Sequence, residues 1–187
     1  MREKGVFFDH HGLHEPVIHV PLLFGGAGIP ETTVPETVQH IDIAPTICDL
    51  VGVEELPGAG ESLVPLMQGE TTEPPRSGAA FAEERHTRSA RMIRRDSAKL
   101  VSILDGDGQC RYCEQTHEPP KALYDLKSDP EEASNVFENP DYDFKAQELE
   151  KQFEEFRGGL IDPTTTEYVP QPDEADLEER LKHLGYR

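Results

Sequence analysis

The chain has 187 residues, of which 35% are hydrophobic and 7% aromatic, enough for one sizeable domain or two small ones. Its 37 acidic and 18 basic residues give a formal net charge of −19, which argues against nucleic acid and anionic membranes as partners because both carry phosphate charge. A solvated acidic surface and adaptation to a salt-rich cytoplasm both fit this charge. No apolar run approaches the ~18 residues of a membrane span, and the N-terminal residues lack a signal-peptide pattern, so we expect a cytoplasmic protein.

The first part of the chain is predicted to hold a strand followed by a helix. Residues 17–24 form a near-continuous apolar run between a proline and a glycine pair, which is typical of a strand buried on both faces of a parallel sheet. Residues 40–53 have the apolar spacing of a helix, with Asp42 as a plausible N-cap and Gly52 as a stop signal. Residues 60–69 are expected to form a short helical turn or a loop.

A parallel sheet needs several strands and crossover helices, and one strand with one helix does not supply them. The expected fold class is therefore α/β, with residues 1–75 as the C-terminal end of an α/β core. The polar stretch at 70–78 is the best boundary candidate, and residues 76–187 are predicted to form a second domain.

In this second domain, short alternating segments separated by turn residues predict a small antiparallel sheet; they lie at 79–84, 90–95, 99–104 and 122–126. Residues 142–158 are predicted to be helical, with Phe144, Leu149, Phe153 and Phe156 along one stripe. The last residues, DEADLEERLKHLGYR, predict a final helix with acidic residues early and basic residues late.

The densest group of chemically active side chains lies in FFDHHGLHEPVIHVP, which contains Asp9, His10, His11, His14, Glu15 and His19. Histidine near neutral pH binds metals and transfers protons, so a metal site competes here with an anion-binding or acid–base site. The spacing does not match the zinc motif H-E-x-x-H, and Pro16 excludes a regular helix through the cluster. A third interpretation is that these histidines only cap loops and bond the backbone.

Two other groups could bind a cation. Cys110 and Cys113 have the spacing of half a zinc site, with His117 as a nearby extra ligand, but no second C-x-x-C exists. A loop with exposed thiols is therefore the favoured interpretation. The acidic run from Asp129 to Glu132 could hold a cation, although Asp129-Pro130 is more typical of a turn into a helix N-terminus.

Five segments, taken in chain order, resemble the sulfatase family. They are HHGLHEPVIHVPLLF, VQHIDIAPTICDLVGV, MIRRDSAKLV, ALYDLKSDPEEASNV and LKHLGYR. The first is similar to the family stretch in which a Lys or His precedes Leu-Tyr-Glu and a strand. The second is similar to its His-x-Asp-x-x-Pro-Thr helix, the third to its Lys-Leu strand, and the fourth to its Leu-Tyr-Asp-Leu, Asp-Pro, Glu, Asn-Leu signature. The fifth is similar to the Leu-Gly-Tyr ending of many members.

This resemblance implies an alkaline-phosphatase-like α/β core followed by a small antiparallel-sheet subdomain with a C-terminal helix. It also implies hydrolysis of a small-molecule or saccharide sulfate ester by a formylglycine nucleophile made from Cys or Ser. A divalent cation, calcium or magnesium, would assist, with ligands expected outside this chain.

The chain also departs from the family pattern. It contains no Cys/Ser-x-Pro-x-Arg motif for the nucleophile and lacks the family's metal motifs. We therefore predict that this chain alone is inactive. A non-catalytic remnant or interaction module, and a phosphonate or phosphate ester hydrolase of the same superfamily, are the alternatives.

Counting back from Glu15, His10 matches the position of the family's catalytic Lys or His, which binds a sulfate oxygen and assists the leaving group. His11 is the neighbouring candidate for substrate binding, because a shift of one residue exchanges the two. His40 and Asp42 also match family positions, but helix capping is the favoured interpretation for both.

Overall fold

A computed structural model describes residues 2–3, 6–7, 12–26, 28–53, 58–86, 88–104, 106, 108–111, 114, 116 and 119–160. Its strands are β1 (Arg2–Glu3), β2 (Val6–Phe7), β3 (Ala80–Glu84), β4 (Ala90–Arg95), β5 (Ala98–Ile103) and β6 (Lys121–Asp125). Its α-helices are α1 (Glu15–Ile18), α2 (Ile43–Val51), α3 (Val64–Gln68) and α4 (Asp143–Gly158). Across these ranges, every helix is too short or too polar to span a bilayer.

The centre of the fold is a four-stranded antiparallel sheet in the order β3-β4-β5-β6, so each strand pairs with its neighbour in sequence. β4 and β5 are joined by the two-residue turn Asp96-Ser97, because Arg95 pairs directly with Ala98. Asp96 has φ +55°, a left-handed conformation that Asp tolerates better than most residues. The predicted antiparallel sheet is confirmed, with strand ends within two residues of those expected.

Each face of this sheet carries its own apolar core, because successive side chains of a strand point to opposite faces. On one face, α4 packs its buried residues Ala146, Leu149 and Phe153 against Ile93, Ala98, Leu100 and Leu123. On the other face, Leu13 and Ile18 of the N-terminal region pack with Ala90, Met92, Val101, Ala122 and Tyr124. The sheet therefore lies between α4 and the segment around α1.

α4 is present as predicted, but Phe144 does not belong to its buried apolar stripe as expected. Phe144 is 79% exposed, whereas Ala146, Leu149 and Phe153 are buried. These three follow the three- and four-residue spacing of one helical face, and Phe144 lies two residues before that face begins, on another side of the helix.

α2 also confirms its prediction. A 3₁₀ turn, His40–Asp42, leads into it, and Gly52 ends it with φ +70°. The Asp42 carboxylate accepts the backbone N–H of Gln39, while the Gln39 side chain caps the same turn. Asp42 occupies the predicted N-cap position of α2, but its carboxylate caps the preceding 3₁₀ turn and not α2. His40 begins that turn with an exposed side chain, so capping is not confirmed for it.

The strand predicted at 17–24 is wrong. The short helix α1 covers residues 15 to 18, with Pro16 in its first turn, where proline fits because its missing N–H is not needed. The following residues form no ladder with any described strand, and Leu23 is 86% exposed. A continuous apolar run is compatible with several backbone conformations, and a strand needs a partner that the described sheet does not offer here.

The predicted domain boundary, between residues 75 and 76, falls on a 3₁₀ segment, Pro75–Gly78. Arg76 and Ser77 have left-handed φ values of +53° and +51° there. This boundary stays a prediction. The short helical turn expected at 60–69 is α3, and the predicted final helix lies outside the described residues.

Candidate functional site

The two histidines predicted to act on substrate, His10 and His11, lie outside the described residues, so both assignments stay predictions. The described chain resumes at Gly12, which has φ +105°, a conformation that favours glycine. A Cβ atom at Gly12 would lie 3.8 Å from Nη2 of the buried residue Arg88. The segment leaving the two histidines therefore passes close to the β3–β4 loop.

The remaining members of the histidine-rich cluster occupy different environments. His14 is buried and His19 is exposed, while Glu15 between them points to the sheet. His14 and Glu15 differ because residues one apart on a helix face different directions, whereas His19 Nδ1, four residues after Glu15, lies 3.5 Å from Glu15 Oε2. What the structure brings together is Glu15 and His14 with three residues from distant parts of the sequence.

We define the ion cluster as His14, Glu15, Arg94, Lys99 and Glu132. Lys99 Nζ lies 2.6 Å from Glu132 Oε1 and 3.2 Å from Glu15 Oε1. Arg94 Nη1 lies 3.4 Å from the second oxygen of Glu15. His14 Nδ1 lies 3.3 Å from Glu132 Oε2, and the backbone N–H of Glu15 donates to the same oxygen at 2.9 Å.

Lys99 is held in the protein interior, with a relative exposure of 0%. Its strand, β5, alternates between the two faces, so Lys99 shares a face with Val101 under the segment 12–18. Removing an ammonium from water costs several kcal/mol unless opposite charges and hydrogen bonds replace the water. Glu15 and Glu132 supply those charges.

Glu132 lies in the loop after β6 and has φ +55°, an uncommon conformation for a residue with a side chain. Burial acts to raise the pKa of its carboxyl group. The contacts with His14 and Lys99, the Lys99 charge and the Glu15 N–H outweigh burial and lower this pKa to about 2. Glu132 is therefore a carboxylate at any physiological pH.

A second buried ion pair links the N-terminal region to the segment before β3. Arg76 Nη2 lies 2.6 Å from both carboxylate oxygens of Asp42, and the N–H of Glu61 also donates to Asp42. Close packing accompanies this pair, since a Cβ atom at Gly60 would lie 1.9 Å from the Ile41 carbonyl oxygen. The pair therefore has a structural role, because it joins three segments of the fold.

The groups considered for metal binding do not form a cation site in the described part of the chain. There, no three His, Cys, Asp or Glu side chains are arranged to hold a metal ion. The implied divalent cation stays a prediction. Asp129 instead accepts the N–H groups of Ala133 and Ser134, and no helix follows this turn, which corrects the expected helix N-terminus. Cys110 is buried, while Cys113 and His117 lie outside the described residues.

A groove of about 340 Å³ lies beside the ion cluster. It is bordered by α1, residues 19–22, residues 37–41 and the first strands of the sheet. Its surface is mostly aliphatic, with Glu15 and Arg94 contributing charge. The groove continues the apolar surface of the N-terminal region.

The ion cluster was not predicted from the sequence, although its members lie in the motifs that resemble sulfatases. Glu15 belongs to HHGLHEP, Lys99 to MIRRDSAKLV and Glu132 to ALYDLKSDPEEASNV. Lys99 offered a local signal, because it shares a strand face with apolar residues. Glu132 offered none, since its partner Glu15 is 117 residues away in the sequence.

Comparison with known proteins identifies relatives for most of the chain. Residues 3–158 match the family model described as N-sulphoglucosamine sulphohydrolase, C-terminal. The chain is 31% identical to a Delta 4,5-hexuronate-2-O-sulfatase of Bacteroides thetaiotaomicron, over 71% of this chain and 27% of that protein. It is 34% identical to a choline-sulfatase of Rhizobium meliloti, over 74% of this chain and 25% of that protein.

Among solved structures, a phosphonate monoester hydrolase of Agrobacterium radiobacter aligns with 70% of this chain and 28% of its own, at 25% identity and a TM-score of 0.49. The chain spans about a quarter of the length of the curated relatives it matches. The expected antiparallel-sheet subdomain with a helix agrees with the family match and with the observed sheet and α4. The C-terminal portion of an alkaline-phosphatase-like α/β core stays a prediction, since the described strands pair only in antiparallel fashion.

Proposed function

This chain belongs to the sulfatase family, whose C-terminal part it matches, and we propose that it forms part of a site that hydrolyses sulfate esters. The observation that carries the proposal is the family match over residues 3–158, which includes the histidine-rich segment and the whole ion cluster. Two curated sulfatases at 31% and 34% identity support the same reaction class.

In this proposal His10 binds a sulfate oxygen and donates a proton to the leaving oxygen. A cationic imidazole is worth more in the transition state than in the ground state, because negative charge moves onto the leaving oxygen as the S–O bond breaks. His11 is proposed to bind the substrate beside it. The described segment after these histidines supports the proposal, since it is fixed to the sheet by the ion cluster.

The proposed substrate is a sulfate ester of a saccharide or another small alcohol. The two relatives named above differ in this respect, one being named for a hexuronate 2-O-sulfate and the other for choline sulfate. The net charge of −19 would disfavour polyanionic substrates unless cationic side chains face them.

We further propose that the 187-residue chain does not turn over sulfate esters by itself, because it has no Cys/Ser-x-Pro-x-Arg motif for a formylglycine nucleophile. The test assays the purified chain on aryl and sugar sulfates and reads the genomic sequence upstream of Met1. An in-frame nucleophile motif there supports a catalytic role. Its absence, together with no turnover, favours a non-catalytic module, and robust turnover by the purified chain contradicts this proposal.

The role of His10 is tested by His10→Ala in an enzyme that contains this chain. We expect kcat to fall by roughly 10²–10⁴-fold, the usual range for loss of a general acid. Esters with poor leaving groups should be affected most, because they depend on the proton. The matched control is His40→Ala, since His40 is an exposed histidine on the 3₁₀ turn. Equal kcat values for wild type and His10→Ala would refute the assignment.

A further inference from the structure

We infer that Lys99 and Glu132 are positioning residues, which orient residues 12–18 and so set the direction in which the chain leaves His10 and His11. This inference rests on the proposed function of those histidines. It assigns a task to the ion cluster that neither the family match nor the relatives' names describe.

The contacts of the ion cluster converge on His14 and Glu15. Glu132 reaches His14 Nδ1 and the Glu15 N–H, and Lys99 reaches the Glu15 carboxylate. Two consecutive residues thus receive all three contacts. An extended residue spans at most about 3.6 Å, so the orientation of residues 12–14 limits where the chain before Gly12 can run.

Glu15 is held at both its backbone and its side chain. Its N–H donates to Glu132, one carboxylate oxygen faces Lys99, and the other faces Arg94. Contacts to the N–H and to both carboxylate oxygens fix the rotation of the residue as well as its position. A single ion pair would leave the segment free to rotate about the contact.

The neighbouring apolar contacts do not by themselves fix the orientation of residues 12–18. Leu13 and Ile18 pack on the sheet, but burial of apolar surface has little directional preference. Charge-assisted hydrogen bonds are directional, and buried ion pairs often add little net stability compared with well-packed apolar residues. Orientation is therefore the role that the cluster adds to the apolar contacts of this segment.

The test measures amide hydrogen exchange of the full chain. The N–H groups of Glu15, Val17, Ile18 and His19 are hydrogen-bonded in the structure and report on the segment directly. In Glu132→Gln we expect these amides to exchange on the order of 10- to 100-fold faster, and by a larger factor than the amides of β4 and β5, as for loss of one charge-assisted contact. Lys99→Met should act in the same direction.

The matched control is Lys121→Met, which removes an ion pair with Glu150 at the surface of the same sheet. It should leave the exchange of residues 15–19 unchanged. If both single variants unfold, the double variant Lys99→Met/Glu132→Met removes two opposite charges together and should fold with the same fast exchange. Unchanged exchange at residues 15–19, or equal loosening of β4 and β5, would overturn the inference.

Activity separates this inference from the function on which it rests. In an enzyme that contains the chain, assayed well below the melting temperature of the variant, Glu132→Gln should lower kcat with little change in KM. If no enzyme containing the chain has sulfatase activity but exchange changes as expected, the proposed function fails and the orienting role stands. If His10→Ala lowers kcat while Glu132→Gln alters neither exchange nor kcat, only the positioning inference fails.

Discussion

The four-stranded sheet and the N-terminal region before it differ in how they cover their apolar side chains. Among the described residues, eight of the eleven large apolar side chains that are exposed belong to the N-terminal region: Val20, Leu22, Leu23, Ile41, Ile47, Leu50, Val51 and Val53. The sheet region, residues 79–160, buries two apolar cores, one on each face. The sheet thus completes its core within this chain, whereas the N-terminal region presents apolar surface that the described residues do not cover.

The contacts between these two regions are both apolar and ionic. Leu13 and Ile18 extend one sheet core, Lys99 binds Glu15 in the ion cluster, and the Phe81 N–H donates to the Gln39 side chain. Buried ion pairs require well-defined geometry, so they fix how one region lies on the other. The position of the N-terminal region on the sheet is therefore fixed, even though its outer face is apolar.

The largest expected effect comes from truncating one leucine in each region, which tests whether the two regions differ in burial. Leu149 is fully buried between α4 and the sheet, so Leu149→Ala should lower the free energy of unfolding by about 2–5 kcal/mol. Leu23→Ala, at an exposed position, should change it by less than about 0.5 kcal/mol. Urea unfolding followed by circular dichroism measures both.

Similar losses in the two variants would mean that Leu23 is buried in solution and that the two regions do not differ. A loss below about 1 kcal/mol for Leu149→Ala would instead mean that α4 contributes little to the sheet core.

The ion cluster gives a second test, through acid. The folded-state pKa of Glu132 is lowered from 4.5 to about 2, which corresponds to about 3 kcal/mol of unfolding free energy. Because the folded-state pKa is the lower one, this contribution is complete above pH 4.5 and is lost as the pH falls toward 2. Glu132→Gln lacks it, so the variant's stability should fall less steeply across that interval.

Urea midpoints of wild type and Glu132→Gln between pH 5 and pH 2.5 measure this difference. Parallel curves would show that Glu132 has a similar pKa in the folded and unfolded chain. Val101→Ala, an uncharged substitution on the face of β5 that carries Lys99, controls for general destabilisation, and its curve should run parallel to that of wild type.

The sequence predicted the sheet far better than the N-terminal region, and the reason is local. The strands pair with sequence neighbours, and the turn Asp96-Ser97 marks where the chain reverses. Alternating apolar residues and turn residues are therefore sufficient to predict the sheet. The run at 17–24 carried no such signal, since an apolar stretch does not specify its own hydrogen-bond partners.

The ion cluster shows a second limit. Glu132 stands in a loop with an uncommon backbone conformation, and its partners lie on α1 and β5. No local pattern specifies contacts over such distances. Motif resemblance identified Glu15 and the segments around Lys99 and Glu132, but only the structure shows that these motifs meet.

Substitutions on the exposed apolar face of the N-terminal region should have the smallest effect on stability. They should nevertheless change how the chains associate. With a net charge of −19, chains repel one another at low salt, but 1 M salt shortens the screening length to about 3 Å. We therefore expect wild type to bind a hydrophobic dye and to associate at high salt, as light scattering measures. Leu23→Ser/Val51→Ser should reduce both, with little change in unfolding free energy. The control is Phe144→Ser on α4: Phe144 is also exposed but lies outside the N-terminal region, so its replacement should change neither signal. Dispersed wild-type monomers without dye binding in 1 M salt would mean that the apolar face of the N-terminal region is covered in solution.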